Sequence, residues 1–158
     1  MEATKENLKI NTIKEDGNTG VYSFEPLPTG FGYTLANAFR RVLLTSIRGA
    51  AATQVKINGA AHQFTTLQGV KEDIVEITLN LKKIRFKSHS SEPVVVTLSK
   101  KGPGKVTAKD IELTSDVEVM NKDQHIATLA DAKSKLEMEI VVEQGIGYSP
   151  MEDGKPQK

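Results

Sequence analysis

The sequence contains no cysteine and no tryptophan, and each absence removes a class of function. Without thiols there is no disulfide framework, no thiolate nucleophile and no cysteine-ligated zinc, a pattern compatible with a reducing compartment. Aromatic residues make up only 5%, too few for a base-stacking platform along a single strand. A surplus of one charge is missing too: 21 Lys and Arg face 20 Asp and Glu, a net charge of +1. No global basic field collects nucleic acid or an anionic membrane, so any such contact is local. No apolar run is long enough to span a bilayer, and the opening MEATKENLKI lacks the charged-then-apolar layout of a signal peptide. A cytoplasmic location without membrane contact is therefore expected.

What is present is a chain of 158 residues, enough for one domain or two small lobes. Its local patterns change character near Gly49. Before that point LKINTIK and VYSFEPL flank a DGNTG turn and predict an antiparallel strand pair, with a slip in the alternation at Ile13. A helix follows in TGFGYTLANAFRRVLLTSIRG. After Gly49 the chain becomes strand-rich: TQVKING runs into an Asn58-Gly59 turn, and AAHQFTTL is predicted to return as its hairpin partner. Val70, Ile74, Ile77 and Leu81 recur at helical spacing, with Lys71, Glu72, Asp73 and Glu76 as the wet face near the helix start. EPVVVTLSK, HIATL and LEMEIVVEQG read as strands, KGPGK as a turn. The last residues, 151–158, read as a polar loop or tail.

Catalytic motifs are scarce. Gly30 and Gly32 in TGFGYT suggest a phosphate loop only weakly, because neither the third glycine of a dinucleotide fingerprint nor a G-K-[ST] follows. They read better as a tight helix start with Thr34 as cap. KKGPGK, from Lys100 to Lys105, clusters three lysines on a turn, which suits a solvated hairpin tip or a local phosphate contact. His62, His89 and His125 lie far apart, without metal-ligand spacing or a neighbouring carboxylate cluster. No Asp-x-Asp pair and no nucleophile elbow is present, so the chain is not expected to carry the catalytic residues of any reaction.

The first helix is less ordinary. At about 100° per residue, Leu35, Ala38, Phe39, Val42, Leu43 and Ser46 form one apolar stripe. The opposite side gathers Asn37, Arg41, Leu44 and Arg48, with Arg40 at its flank. An apolar side chain framed by guanidinium groups has the anatomy of a protein interface, where arginine pairs bidentately with carboxylates. A solvated basic face fits the same pattern.

The run EPLPTGFGYTLANAFRRVLLTSIRGAAATQVKINGAAHQFTTLQGVKEDIVEITLNLK resembles the amino-terminal domain of the bacterial RNA polymerase alpha subunit. The likeness continues through PVVVTLSKKGPGKVTAKDI and GIGYSP, from about Leu8 to Pro150. It implies an α+β, two-lobed fold: a composite helix and antiparallel-sheet dimerisation lobe, of which residues 1–49 supply the first half, and an inserted β-rich lobe with one helix at 50–150. It also implies a non-catalytic scaffold that dimerises and nucleates assembly with the beta and beta-prime subunits, as part of a nucleotidyltransferase complex acting in transcription. The catalytic magnesium is then expected on beta-prime, with no cofactor or metal on this chain. Position by position, the resemblance puts the beta-subunit contact at Arg41, with Arg40 beside it and Leu44 one turn on, and Asn37 and Arg48 share that face. It puts the dimer interface at Phe31, Leu35 and Phe39, and a further large-subunit contact at Lys82. No direct DNA contact is expected from this portion.

The family continues past the point where this sequence stops. A truncated product is therefore expected, in which Phe31, Leu35 and Phe39 lack part of their cover and the homodimer is in doubt. Two other classes remain for comparison: a free-standing nucleic-acid-binding module using Arg40 and the Lys100 to Lys105 turn, and an enzyme acting on a phosphorylated small molecule through TGFG.

Overall fold

A computed structural model describes residues 8–148. The tail at 151–158, Ser149 and Pro150 of GIGYSP, and most of MEATKENLKI lie outside the described residues. The chain divides into two compact units, Met1–Ser46 and Ile47–Lys158.

In the first unit, β1 (Lys9–Asp16) and β2 (Thr19–Glu25) form an antiparallel hairpin whose register shifts between Thr12 and Lys14. The bulge falls at Ile13, where the sequence alternation slips. Helix α1 (Phe31–Thr45) follows. Its N-cap is Gly30 in the left-handed region, φ +84, and no side chain caps it. Thr34 is therefore inside the helix rather than a cap, because glycine at the turn already reverses the chain. Gly32 sits in open space within α1 and has no special backbone task.

The second unit is built on a six-stranded antiparallel sheet. Its strands are β3 (Arg48–Ile57), β4 (Phe86–Ser88), β5 (Val94–Lys101), β7 (Ile111–Glu112), β8 (Val117–Val119) and β10 (Lys135–Ile146). Their order is β7-β5-β10-β3-β4-β8. A separate two-stranded sheet pairs β6 (Gly104–Thr107) with β9 (His125–Leu129). On β10 the alternation decides the faces: Leu136, Met138, Ile140 and Val142 are buried, while Lys135, Glu137, Glu139 and Glu143 lie on the other side. Those four apolar residues join Ile57, Ile77, Leu81, Phe86, Val96, Leu98 and Ile126 in one core. Among the described residues, every buried side chain belongs to this unit.

The predicted hairpin of TQVKING with AAHQFTTL is not formed. The chain does turn after Ile57, with Gly59 at φ +85 and Ala60 N–H donating to the Ile57 carbonyl at 3.2 Å. However, β3 pairs along its length with β10, and residues 61–67 make a loop. AAHQFTTL has no repeated large apolar side chain on either face, so it cannot specify a register against β3, whereas LEMEIVVEQG can.

The second helix is shorter than its periodicity predicts. α2 covers Ile74–Leu81, with the Asp73 side chain accepting the Glu76 N–H at 2.7 Å as its N-cap. Val70, Lys71 and Glu72 instead run beside β9: Val70 bridges Leu129, and Lys71 N–H donates to the Thr128 carbonyl at 3.0 Å. Glu72, read from the sequence as part of a wet helical face, is buried. Its carboxylate accepts from Thr128 N–H at 2.6 Å and Thr128 Oγ1 at 2.9 Å, and lies 3.0 Å from His125 Nε2. Burial pushes this carboxyl up, but those donors outweigh it and hold the group below its ordinary value.

Gly69 starts this segment at φ +77, and a Cβ there would lie 2.9 Å from the Ser134 Cβ and closer still to its Oγ. Ser134 cannot yield, being buried and hydrogen-bonded to Asp131 Oδ1. Gly69→Ala is expected to lower stability by about 2 kcal/mol through strain and clash. An unchanged urea midpoint would contradict that close approach.

Candidate subunit interface

Helix α1 has no buried residue. Its first turn has no acidic residue and its last turn no basic one, so neither end is matched to the helix dipole. Intramolecular support comes from the hairpin side. Phe39 stacks on Phe24 of β2 with ring centroids 5.0 Å apart, and Leu35 is half-buried. Phe31, Val42 and Leu43 remain exposed. The residues predicted as a dimer interface therefore share one side of α1, with only part of their apolar surface covered.

Across the helix, Asn37, Arg40, Arg41 and Leu44 are all exposed, Leu44 at 68%. Neither Arg40 nor Arg41 has a carboxylate within ion-pair distance among the described residues. One backbone detail fixes the end of this face: Thr45 Oγ1 donates to the Arg41 carbonyl at 2.6 Å, and Ser46 N–H closes the helix on the Val42 carbonyl at 2.9 Å.

Arg48 is not part of the helix. The helix stops at Thr45, and Arg48 opens β3 opposite Ile146 of β10. There it lines a shallow hollow of about 380 Å³ together with Ser91, Gln144, Gly145 and Ile146. Helical periodicity carried the reading one turn too far, because nothing in TSIRG announces the stop in the way a glycine directly after the last turn would. Lys82 is the exposed C-cap of α2.

Several of the polar groups singled out in the sequence are committed to the fold. Lys100 Nζ bonds the Lys105 carbonyl and Asp110 Oδ2, each at 2.8 Å, so the KKGPGK turn presents one fewer free cation than its sequence offers. The histidines are each held by a neighbour the sequence did not reveal: His62 by Thr65, His89 by Glu118 and His125 by Glu72. No group of three or more His, Cys, Asp or Glu side chains among the described residues could hold a metal ion. No helix among them is long and apolar enough to cross a membrane.

Comparison with known proteins gives the chain its family. Residues 55–158 match the family described as the RNA polymerase Rpb3/RpoA insert domain. The chain belongs to this family. Across 135 residues it is 54% identical to the DNA-directed RNA polymerase subunit alpha of Corynebacterium efficiens, an overlap of 85% of this chain and 40% of that one. The alpha subunit of Herpetosiphon aurantiacus is 49% identical, covering 94% of this chain and 45% of its own length. That of Oceanobacillus iheyensis is 46% identical over 98% of this chain and 49% of its own. The chain thus spans somewhat less than half the length of these relatives. Their similarity reaches through α1 as well as the insert domain, and nothing in it favours the nucleic-acid-binding alternative.

Proposed function

We propose that the chain acts as the amino-terminal part of a non-catalytic RNA polymerase alpha subunit: a scaffold that pairs with a second copy of itself and collects the beta and beta-prime subunits. The observation that carries this reading is the two-sided exposure of α1. A helix with no buried residue among the described residues, yet with a phenylalanine-rich stripe on one side and Leu44 among arginines on the other, is suited to two partners at once.

The roles then divide by chemistry. Phe31, Leu35 and Phe39 supply the apolar surface for the second copy. Arg41 and Arg40 supply forked donors for carboxylate or carbonyl acceptors on beta, Leu44 fills a desolvated pocket, and Asn37 adds an amide at the edge. Lys82 is a separate contact with a large subunit. Nucleotide addition and its magnesium ion belong to beta-prime.

Arg41→Ala is expected to weaken capture of purified beta subunit by about 2 kcal/mol, roughly thirtyfold, without altering the melting temperature, because the side chain is exposed. Leu44→Ala acts in the same direction. Capture undiminished in both variants would remove the beta contact from this face.

A further inference from the structure

The turn that ends β3 sets a side-chain amide beside an unhindered backbone nitrogen. Asn58 and Gly59 are both exposed, with Gly59 at φ +85. Ala60 N–H closes the turn on the Ile57 carbonyl at 3.2 Å, and Gly59 N–H donates to no backbone carbonyl among the described residues. The Asn58 side chain is restrained by a single long contact, Nδ2 to Glu137 Oε2 at 3.4 Å. An asparagine amide carbon that meets the nitrogen of the next residue can close a cyclic imide, and the usual obstacle is the side chain on that next residue. Glycine presents none.

The other asparagines lack this combination. Of the seven in the chain, only Asn58 precedes a glycine. Asn80 is buried, with Nδ2 donating to the Ile126 carbonyl at 3.2 Å and Oδ1 accepting from Lys83 Nζ at 3.3 Å. Asn121 is clamped at both ends of its amide: Oδ1 accepts Arg85 N–H at 2.7 Å and Nδ2 donates to the Lys83 carbonyl at 2.9 Å. An amide locked in this way cannot swing its carbon toward the backbone. Asn11 sits inside β1 and Asn37 inside α1. Asn18 occupies a turn but precedes the β-branched Thr19. Asn7 lies outside the described residues.

We propose that Asn58 is a site of spontaneous covalent modification, deamidating through a cyclic imide with Gly59 and with water as the co-reactant. The Gly59 nitrogen gives its proton to solvent and bonds Asn58 Cγ. The Cγ–Nδ2 bond breaks, and Nδ2 takes a proton back from solvent and leaves as ammonia. Water then opens the imide at either carbonyl. Cleavage at Cγ leaves aspartate at position 58, whereas cleavage at the former backbone carbonyl leaves isoaspartate, with the chain continuing through the side chain. No electrons are exchanged. Either product brings a new carboxylate to the end of β3, beside Glu137, whose own charge is held by Lys135. Isoaspartate also lengthens the main chain by a methylene, directly after the Asn58 N–H bond to the Glu137 carbonyl at 3.0 Å.

The test ages the full chain in warm, mildly alkaline buffer, folded and in urea, and follows each asparagine by peptide mapping with mass spectrometry. In the folded chain the Asn58 peptide is expected to lose its amide first, giving both isoaspartate and aspartate, while Asn80 and Asn121 stay intact. Urea should remove the protection of those two. Asn58→Gln, whose longer side chain closes the ring far less readily, should abolish isoaspartate at this position and keep the melting temperature, because the side chain is exposed. Loss of any other amide ahead of Asn58 in the folded chain would overturn the assignment. Conversion to aspartate without isoaspartate would overturn the imide route. An Asn58 amide that survives in the folded chain and is lost only in urea would show that the turn protects it, and the proposal would fail.

Discussion

At concentrations where the chain is monomeric, backbone amides of α1 exchange their hydrogens at least about a thousandfold faster than those of β10. The difference follows from where the apolar surface goes. On β10, Leu136, Met138, Ile140 and Val142 are sealed in the core, and the strand is hydrogen-bonded on both edges, to β3 and to β5. Exposing those amides means opening the second unit, which for a domain of this size costs on the order of 5 kcal/mol or more. α1 has no comparable restraint. It has 15 residues, no side-chain cap, unmatched charges at both ends and no buried residue. A free helix of that length is marginal in water. Its Phe24–Phe39 contact and half-buried Leu35 add only a small cluster. Raising the protein concentration should then slow exchange in α1 and leave β10 unchanged, because a second copy covering Phe31, Leu35 and Phe39 stabilises α1 by mass action. Equal protection of the two elements at low concentration would refute this account of α1.

The same contrast explains how much could be read from residues alone. The hairpin of β1 and β2, the strand character of β5, β9 and β10, and the two faces of α1 were legible because each depends on a local period or a turn between neighbours. Even the bulge at Ile13 was visible as a slipped alternation. What failed was long-range. β3 found its partner far downstream, Ile57 opposite Met138 and Arg48 opposite Ile146, rather than in the adjacent segment, and no local pattern records that choice. Arg48 left the helical face because β3 begins at that residue, a boundary set by pairing with β10 rather than by a helix-stop signal. Within α2 the period did sort the faces: Ile74, Ile77 and Leu81 are buried, while Val75 and Leu79 are exposed. Lys100 looked free until Asp110 was brought beside it. The geometry of α1 was readable, whereas the interface role proposed for it rests on likeness to the alpha subunits.

Glu72 was the largest misreading, and it sets the second large effect. Glu72→Gln is expected to destabilise the second unit by about 2–3 kcal/mol at neutral pH. An amide NH2 or its single carbonyl cannot accept from Thr128 N–H, Thr128 Oγ1 and His125 together, so at least one buried donor loses its partner. The pH dependence has a definite sign. The folded carboxyl titrates below its ordinary value, so its contribution is complete above the unfolded pKa, about 4.5. It is lost as pH falls through the lower folded value, where the unaltered carboxyl takes up its proton. The stability gap between the unaltered chain and the Glu72→Gln variant should therefore be widest above about pH 5 and narrow progressively below pH 4. Urea titrations across that range measure it directly. A gap that stays constant down to acid pH would mean the carboxylate's charge contributes nothing, and that residues 69–73 are held beside β9 by the Lys71 backbone bond and packing alone.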